Sequence, residues 1–374
     1  MSPFGSGPLF AALRKSHHRN HRGPGRDNQL TKDERSGDTF ERACLYRGYY
    51  AATHIDGRGG KRVKTFHELR TCDLTPGALQ AEICSKGYVL IRDLLPRSAV
   101  SSVLRNVTQV LSAAGWLQAG HDPCERVAEV GAACGDPDPT FKQVYQRVFN
   151  LESFHALPHQ AALREVMKML VGEQVLVHPK PIGRLIFPHC ERLVTHAHQD
   201  YEFMGGDPEF FTVWIPLHDC PVDVGPLRIL EGSHRFGVQS HERENLHVPE
   251  IPIEAAAGDG WVGGDVNAGD VLIFHSLTVH AGSPNLSERL RLSLDCRFQD
   301  ARRVLNPANL VFAGESGKSW EKTYAGWRSD ELKFYWKRMP LTLEPSTAEL
   351  FHLAETSESP STRARYARMV SQLH

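Results

Sequence analysis

This 374-residue chain has no Cys-x-x-Cys pair, no long apolar run, no internal repeat and almost no net charge. Each absence excludes something. The eight cysteines (Cys44, Cys72, Cys84, Cys124, Cys134, Cys190, Cys220, Cys296) are scattered singly. That favours reduced intracellular thiols over a disulfide framework. No apolar stretch approaches the ~20 residues of a membrane-spanning helix, so no membrane partner is expected. A formal net charge of −1 gives no global field to draw the chain to nucleic acid. The apolar run at residues 8–13 is too short for a secretory leader, and the expected location is the cytoplasm. Residues 1–40, where glycines mix with Arg14, Lys15, Arg19 and Arg22, read as a solvated, disordered basic tail. Organelle import through this tail is the alternative.

What is present is ordinary for a globular protein. Hydrophobic residues make up 41% and charged residues 23%, and the length allows a sizeable core. Thr75 followed by Pro76 marks a helix start. Residues 87–92 are a short β-rich run, and residues 96–114 space Val100, Val103, Leu104, Val107 and Leu111 as a helix does. Residues 120–140 read as a loop and 157–170 as a further helix ending near Gly172. Beyond Gly172 the pattern changes to short strands at 174–178, 184–187, 210–217, 270–274 and 290–298, the spacing of a sandwich or barrel. The fold class expected is mainly β with flanking helices (α+β). Residues 232–268 are long, polar and aperiodic, as a functional lid is. Residues 301–374 carry Trp320, Tyr324, Trp327 and Trp336 and end in a helix at 362–373. They form an extension packed on the core at 41–300 or a homodimer contact, with a contribution to the substrate pocket as the alternative.

The chemistry concentrates at His198-Gln199-Asp200 and at the stretch from His275 to His280. A histidine and a carboxylate two apart on an extended segment project to one side. A second histidine from another strand completes two imidazoles and one carboxylate, the facial set of non-haem Fe(II) oxygenases. Two rivals remain on this ground alone: His196 would face the same way as His198, and His275 competes with His280. The chain's twenty histidines are a weak signal, because several fall in its first quarter.

An ordered series extends this motif. Trp214 follows it, then Gly225-Pro226-Leu227-Arg228-Ile229-Leu230-Glu231-Gly232-Ser233-His234-Arg235, then Gly269-Asp270-Val271-Leu272-Ile273-Phe274-His275 to His280. The series resembles the phytanoyl-CoA dioxygenase family over roughly residues 80–300. That resemblance implies a double-stranded β-helix (jelly-roll, cupin-like) core with Fe(II), 2-oxoglutarate as co-substrate, and O2. It selects His198 over His196, because the family places Gln and then Asp after the ligand histidine. It selects His280 over His275, because Arg291 lies eleven residues after His280, the family's offset for its 2-oxoglutarate arginine. The iron ligands implied are therefore His198, Asp200 and His280.

Around Arg291 the alternation is clean. Leu290, Leu292, Leu294 and Phe298 share one face, and Arg291, Ser293, Asp295 and Arg297 share the other. The polar face is either solvent-facing or turned into the jelly roll. In the second case Arg291, with Ser293, grips a dicarboxylate through its guanidinium fork. Gln199, Trp214 and Lys180 are further candidates for the 2-oxoglutarate site, and Arg184, His196 and His275 for the substrate pocket. The carboxylate at Asp200 argues against halogenation, for which relatives carry Gly or Ala at that position. The activity implied is oxidation of a small molecule's C–H with release of succinate and CO2. A non-catalytic metal-binding β-helix protein and an acyl-CoA hydroxylase are the alternatives. Six acidic residues in the expected lid (Glu242, Glu244, Glu250, Glu254, Asp259, Asp265) suit a polyanion such as CoA poorly, which favours a non-CoA metabolite.

Overall fold

The computed structural model describes residues 64–239, 260–314 and 317–373. Eleven strands carry the architecture: β1 Lys64–Thr65, β2 Glu68–Arg70, β3 Tyr88–Arg92, β4 Val175–Val177, β5 Ile182–Ile186, β6 Phe210–Pro216, β7 Leu227–Leu230, β8 Trp261–Gly263, β9 Val271–His275, β10 His280–Gly282 and β11 Arg291–Asp300. The larger sheet runs β2-β3-β9-β6-β11-β4, with β5 also paired to β11; the smaller runs β1-β8-β7-β10. Together they form the jelly-roll core. Helices α1 (Pro76–Lys86), α2 (Arg97–Ala113), α3 (Pro139–Phe149), α4 (Glu152–Ala156) and α5 (Ala161–Val171) accompany the larger sheet.

The longest strand, β11, shows how the molecule is divided. All ten of its residues are buried, whichever way they point. Leu292, Leu294, Cys296 and Phe298 join one apolar cluster with Leu79 and Ile83 of α1, Val100, Val103, Val107 and Leu111 of α2, and Leu163 and Val166 of α5. On the opposite face Asp295 lies across from Trp214, and Arg297 across from Thr212. Trp214 belongs to a second cluster, with Tyr88, Leu90, Leu272 and Phe274 of the larger sheet and Leu227, Ile229 and Val262 of the smaller. The polar face of β11 is thus the interior of the jelly roll, not a wet surface. Buried polar side chains are costly unless partnered, so this face is where a ligand is expected.

Several boundaries follow from local signals. Thr75 Oγ1 accepts from the Ala78 N–H at 3.1 Å and opens α1. Gly87 closes it with φ +81°, and a Cβ there would lie 2.4 Å from His234 Nδ1. Three short strands, β7, β8 and β10, are too brief to show a period in the sequence. The segment expected as a lid is interrupted: Trp261–Gly263 is strand β8, residues 240–259 fall outside the described residues, and so does the basic tail at 1–40. The loop expected at 120–140 holds two 3₁₀ turns, Pro123–Glu125 and Val130–Ala132, and α3 begins at Pro139. Trp320, Tyr324, Trp327 and Trp336 are buried in a cluster of their own with Leu176, Leu305, Leu310 and Leu350. Those rings spend their apolar surface inside the chain.

Between α4, α5 and this C-terminal cluster lie three histidines kept neutral by burial. His155 is pushed down from the usual 6.5 to about 4, and His159 and His178 to about 3. His155 Nε2 donates to Phe149 O at 2.7 Å and His178 Nε2 to Gln299 Oε1 at 2.9 Å. The unfolded chain takes up these protons near pH 6.5 and the folded chain does not. Their contribution to stability is therefore complete above that pH and is lost as the pH falls towards 4. Each histidine adds about 1.4 kcal/mol per pH unit to the slope. Urea unfolding at pH 7.5 and 5.5 should show a clear loss of stability at the lower pH. Equal stability at both would contradict the neutral burial of these rings.

Candidate metal centre

His198 and His280 meet across an antiparallel bridge. Each N–H donates to the other's carbonyl at 3.0 Å, and the ring centroids are 4.2 Å apart. Asp200 does not share an extended strand with His198. Its backbone is already helical (φ −66°, ψ −26°) and caps the short helix α6, Tyr201–Met204. A turn, rather than strand alternation, swings the carboxylate in beside the imidazoles. Asp200 Oδ1 lies 3.6 Å from His198 Nε2 and 3.8 Å from His280 Nε2.

Backbone carbonyls orient both rings. His198 Nδ1 donates to His196 O at 2.7 Å, and His280 Nδ1 to Thr278 O at 3.0 Å. In a neutral imidazole that assigns the Nε2 lone pair to the space shared with Asp200. Burial, and next the neighbouring His198 ring, push His280 down to about 3 and keep it neutral. For Asp200, burial acts to raise the carboxyl. The Arg297 guanidinium and the two imidazoles outweigh it and hold the group well below the usual carboxylate range. Two imidazole nitrogens and one carboxylate oxygen, all within 4.8 Å of one another, suit a divalent ion such as iron that keeps open positions.

Asp200 owes its pose to two residues the sequence did not single out for this role. Arg297 Nη2 donates to Asp200 Oδ2 at 3.1 Å, and Thr212 Oγ1 donates to the same oxygen. Oδ1 is left to face the histidines. Both helpers stand on the interior face, Thr212 on β6 and Arg297 on β11, in register with each other. The alternation of β11 already placed Arg297 on the same side as Arg291, which was the available signal.

The remaining sequence candidates have varied surroundings. Arg291 is 2% exposed; its Nη1 donates to Gly225 O at 2.5 Å, and its Nε has no partner among the described residues. Gly225 has φ +85°, and a Cβ there would lie 2.5 Å from Ser283 O, so glycine is needed to bring this carbonyl to the arginine. A buried guanidinium with an unpartnered N–H fits a carboxylate such as one end of 2-oxoglutarate. Ser293 Oγ accepts from Trp214 Nε1 at 2.9 Å, which joins two candidates in one contact. Gln199 is a clamp: its Nε2 donates to Gly237 O and Leu277 O, and its Oε1 accepts from the Gln239 N–H. Lys180 turns to the C-terminal segment and donates to Ala308 O and Val311 O. His275 lies on the helix side of β9, within 3.5 Å of Glu209, while its neighbour Phe274 packs on His280. His275 Nδ1 accepts from the Leu277 N–H and shapes the turn that delivers His280. His196 and Arg184 line a cavity beside the centre.

The hold on Asp200 can be tested. Thr212→Val, nearly isosteric, should weaken Fe(II) or Co(II) binding about 10–100-fold, as loss of a ligand's supporting hydrogen bond does. Arg297→Met should do the same and also cost about 3–5 kcal/mol of stability, because it strands a buried carboxylate. Wild-type metal affinity in a folded Thr212→Val protein would remove the hydroxyl from this role.

The phytanoyl-CoA dioxygenase family model matches residues 83–293, more than half of the chain. Over 232 residues the chain is 28% identical to the 1-deoxypentalenic acid 11-beta-hydroxylase of Streptomyces arenae, covering 58% of this chain and 78% of that protein. Over 112 residues it is 33% identical to the iron/alpha-ketoglutarate-dependent dioxygenase ausO of Aspergillus calidoustus, covering 28% and 36%. Among solved structures, the epimerase SnoN in complex with Fe3+, alpha ketoglutarate and nogalamycin RO superposes with a TM-score of 0.47 at 21% identity, covering 66% of this chain and 93% of that one. The matched segment contains His198, Asp200, His280, Gly225 and Arg291, and this chain belongs to the phytanoyl-CoA dioxygenase family.

Proposed function

We propose that the chain is an Fe(II)- and 2-oxoglutarate-dependent dioxygenase that oxidises a C–H bond of a small-molecule metabolite. The observation that carries this is the convergence of His198, Asp200 and His280 on one buried point, with Asp200 turned towards both rings. Family membership and the hydroxylase from Streptomyces arenae support the same class. Iron bound there, with 2-oxoglutarate and O2, supplies C–H oxidation coupled to conversion of 2-oxoglutarate to succinate and CO2.

The residues divide the remaining work. His198, Asp200 and His280 hold the metal. Arg291, fixed by Gly225 O, holds a carboxylate of 2-oxoglutarate; the Ser293 hydroxyl, held by Trp214, stands on the same interior face. Gln199 ties Gly237 to the turn at Leu277, next to the metal ligands His198 and Asp200. The buried walls give a dry surrounding in which charged contacts are strong. The buried C-terminal aromatics support a packing role for residues 301–373 over the alternative homodimer contact.

Purified protein with Fe(II) should convert 2-oxoglutarate to succinate, and a true substrate should raise the rate. His198→Ala or Asp200→Ala should lose this turnover. Arg291→Ala should raise the KM for 2-oxoglutarate about 10-fold or more while metal binding is kept, the scale of losing a charge-assisted pair. A metal-loaded protein that neither binds 2-oxoglutarate nor releases succinate would favour the non-catalytic alternative.

A further inference from the structure

We infer that the substrate is a monoanion, an apolar skeleton bearing one carboxylate, and that Arg184 holds that carboxylate. This rests on the oxygenase reading above and adds the chemical class of its substrate.

The two sheets part at one edge of the jelly roll. On the larger sheet β5 is the edge strand, paired with β11. On the smaller sheet residues 195–198 run beside β10: Thr195 O accepts from the Gly282 N–H at 2.8 Å, and His198 bridges His280. A cavity of about 590 Å³ fills the gap, walled by residues 182–186 on one side and 192–196 on the other, with Phe141 and Tyr145 of α3 across it. That volume is typical of small-molecule sites. The second wall continues directly into the metal centre, since His196 contributes a side chain to the cavity and its carbonyl to His198 Nδ1.

Most of the lining is apolar, yet its charge is one-sided. Lys142, Arg184, Arg192 and Lys318 line it against a single acid, Asp136, which is 3.6 Å from Lys142. Arg184 is the fixed member. Its Nε donates to Asp295 Oδ2 at 2.8 Å, the side chain is 28% exposed in the cavity wall, and this is its one hydrogen bond among the described residues. Both Nη groups remain to donate, on a guanidinium already held in place. A carboxylate matches that fork, and pre-ordering lowers the entropy cost of binding it.

The chemistry of the fork points the same way: a carboxylate meets both Nη groups, a neutral substrate leaves them unanswered, and a CoA thioester brings no carboxylate at its reacting end.

The test needs no turnover. Calorimetry on the full, metal-free chain would compare decanoate and adamantane-1-carboxylate with their primary amides and with decanoyl-CoA. Each acid should bind about 10-fold or more tightly than its amide, a difference of about 1.4 kcal/mol. Arg184→Gln should reduce that preference to near unity, and Arg184→Lys should keep part of it. In turnover, the KM for the acid should rise in Arg184→Gln by a larger factor than the KM for 2-oxoglutarate. Equal binding of acid and amide by the wild type, no binding of either acid, tighter binding of decanoyl-CoA, or a folded Arg184→Gln protein with its preference intact would each overturn the inference. Because the wild-type comparison stands alone, an unfolded variant does not rescue it. A chain that binds the acids yet releases no succinate would instead remove the oxygenase reading and leave the anion site standing.

Discussion

A carboxylate that is 2% exposed can stay ionised only beside a compensating charge. Asp200 has Arg297 at 3.1 Å, and much of the architecture serves to keep that pair in place. Arg297 must be inside, so β11 must carry charge on one face and apolar side chains on the other. That strand must then be covered on both sides, by helices over the leucines and by the smaller sheet over the arginines. The two-layered core with its helical cover follows from making one strand serve two interiors of opposite polarity.

The same constraint explains why polar residues cluster where they do. Arg184, Asp295, Arg297, Asp200 and Thr212 form a connected set across β5, β11, β6 and the turn before α6. Asp295 Oδ1 and Arg297 Nε and Nη1 have no partner among the described residues. A buried polar atom of this kind is one that water or a ligand can complete. The apolar face of the same strand has no comparable need and packs as an ordinary core.

Much of this was legible in the sequence, in proportion to how local each signal was. The α1 cap at Thr75, the spacing of α2 and the long strands reflect propensity and period, and these read directly. The alternation at Arg291 to Phe298 was equally clear, but two faces of a strand look alike on paper. Only the cover supplied by α1, α2 and α5 shows which face is under helices and that both are dry. His198 and Asp200 were grouped by a strand argument, whereas a turn into α6 brings them together. β7, β8 and β10 contain three or four residues each, too few for a period to register. Thr212 carried no signal, because its role depends on the register between β6 and β11, which no single segment encodes.

The three residues proposed as metal ligands are not held by the same kind of support. The two imidazoles are aimed by carbonyls two positions back in their own backbone, His196 O and Thr278 O. No side-chain replacement deletes a carbonyl, so their orientation is insulated from point mutation as long as the chain keeps its course. The carboxylate depends on a hydroxyl and a guanidinium from two other strands, either of which one codon change removes. Drift in this lineage can therefore reshape the metal's electronic environment from one side only. The histidines form its constant part, and the carboxylate with its two attendants forms the adjustable one.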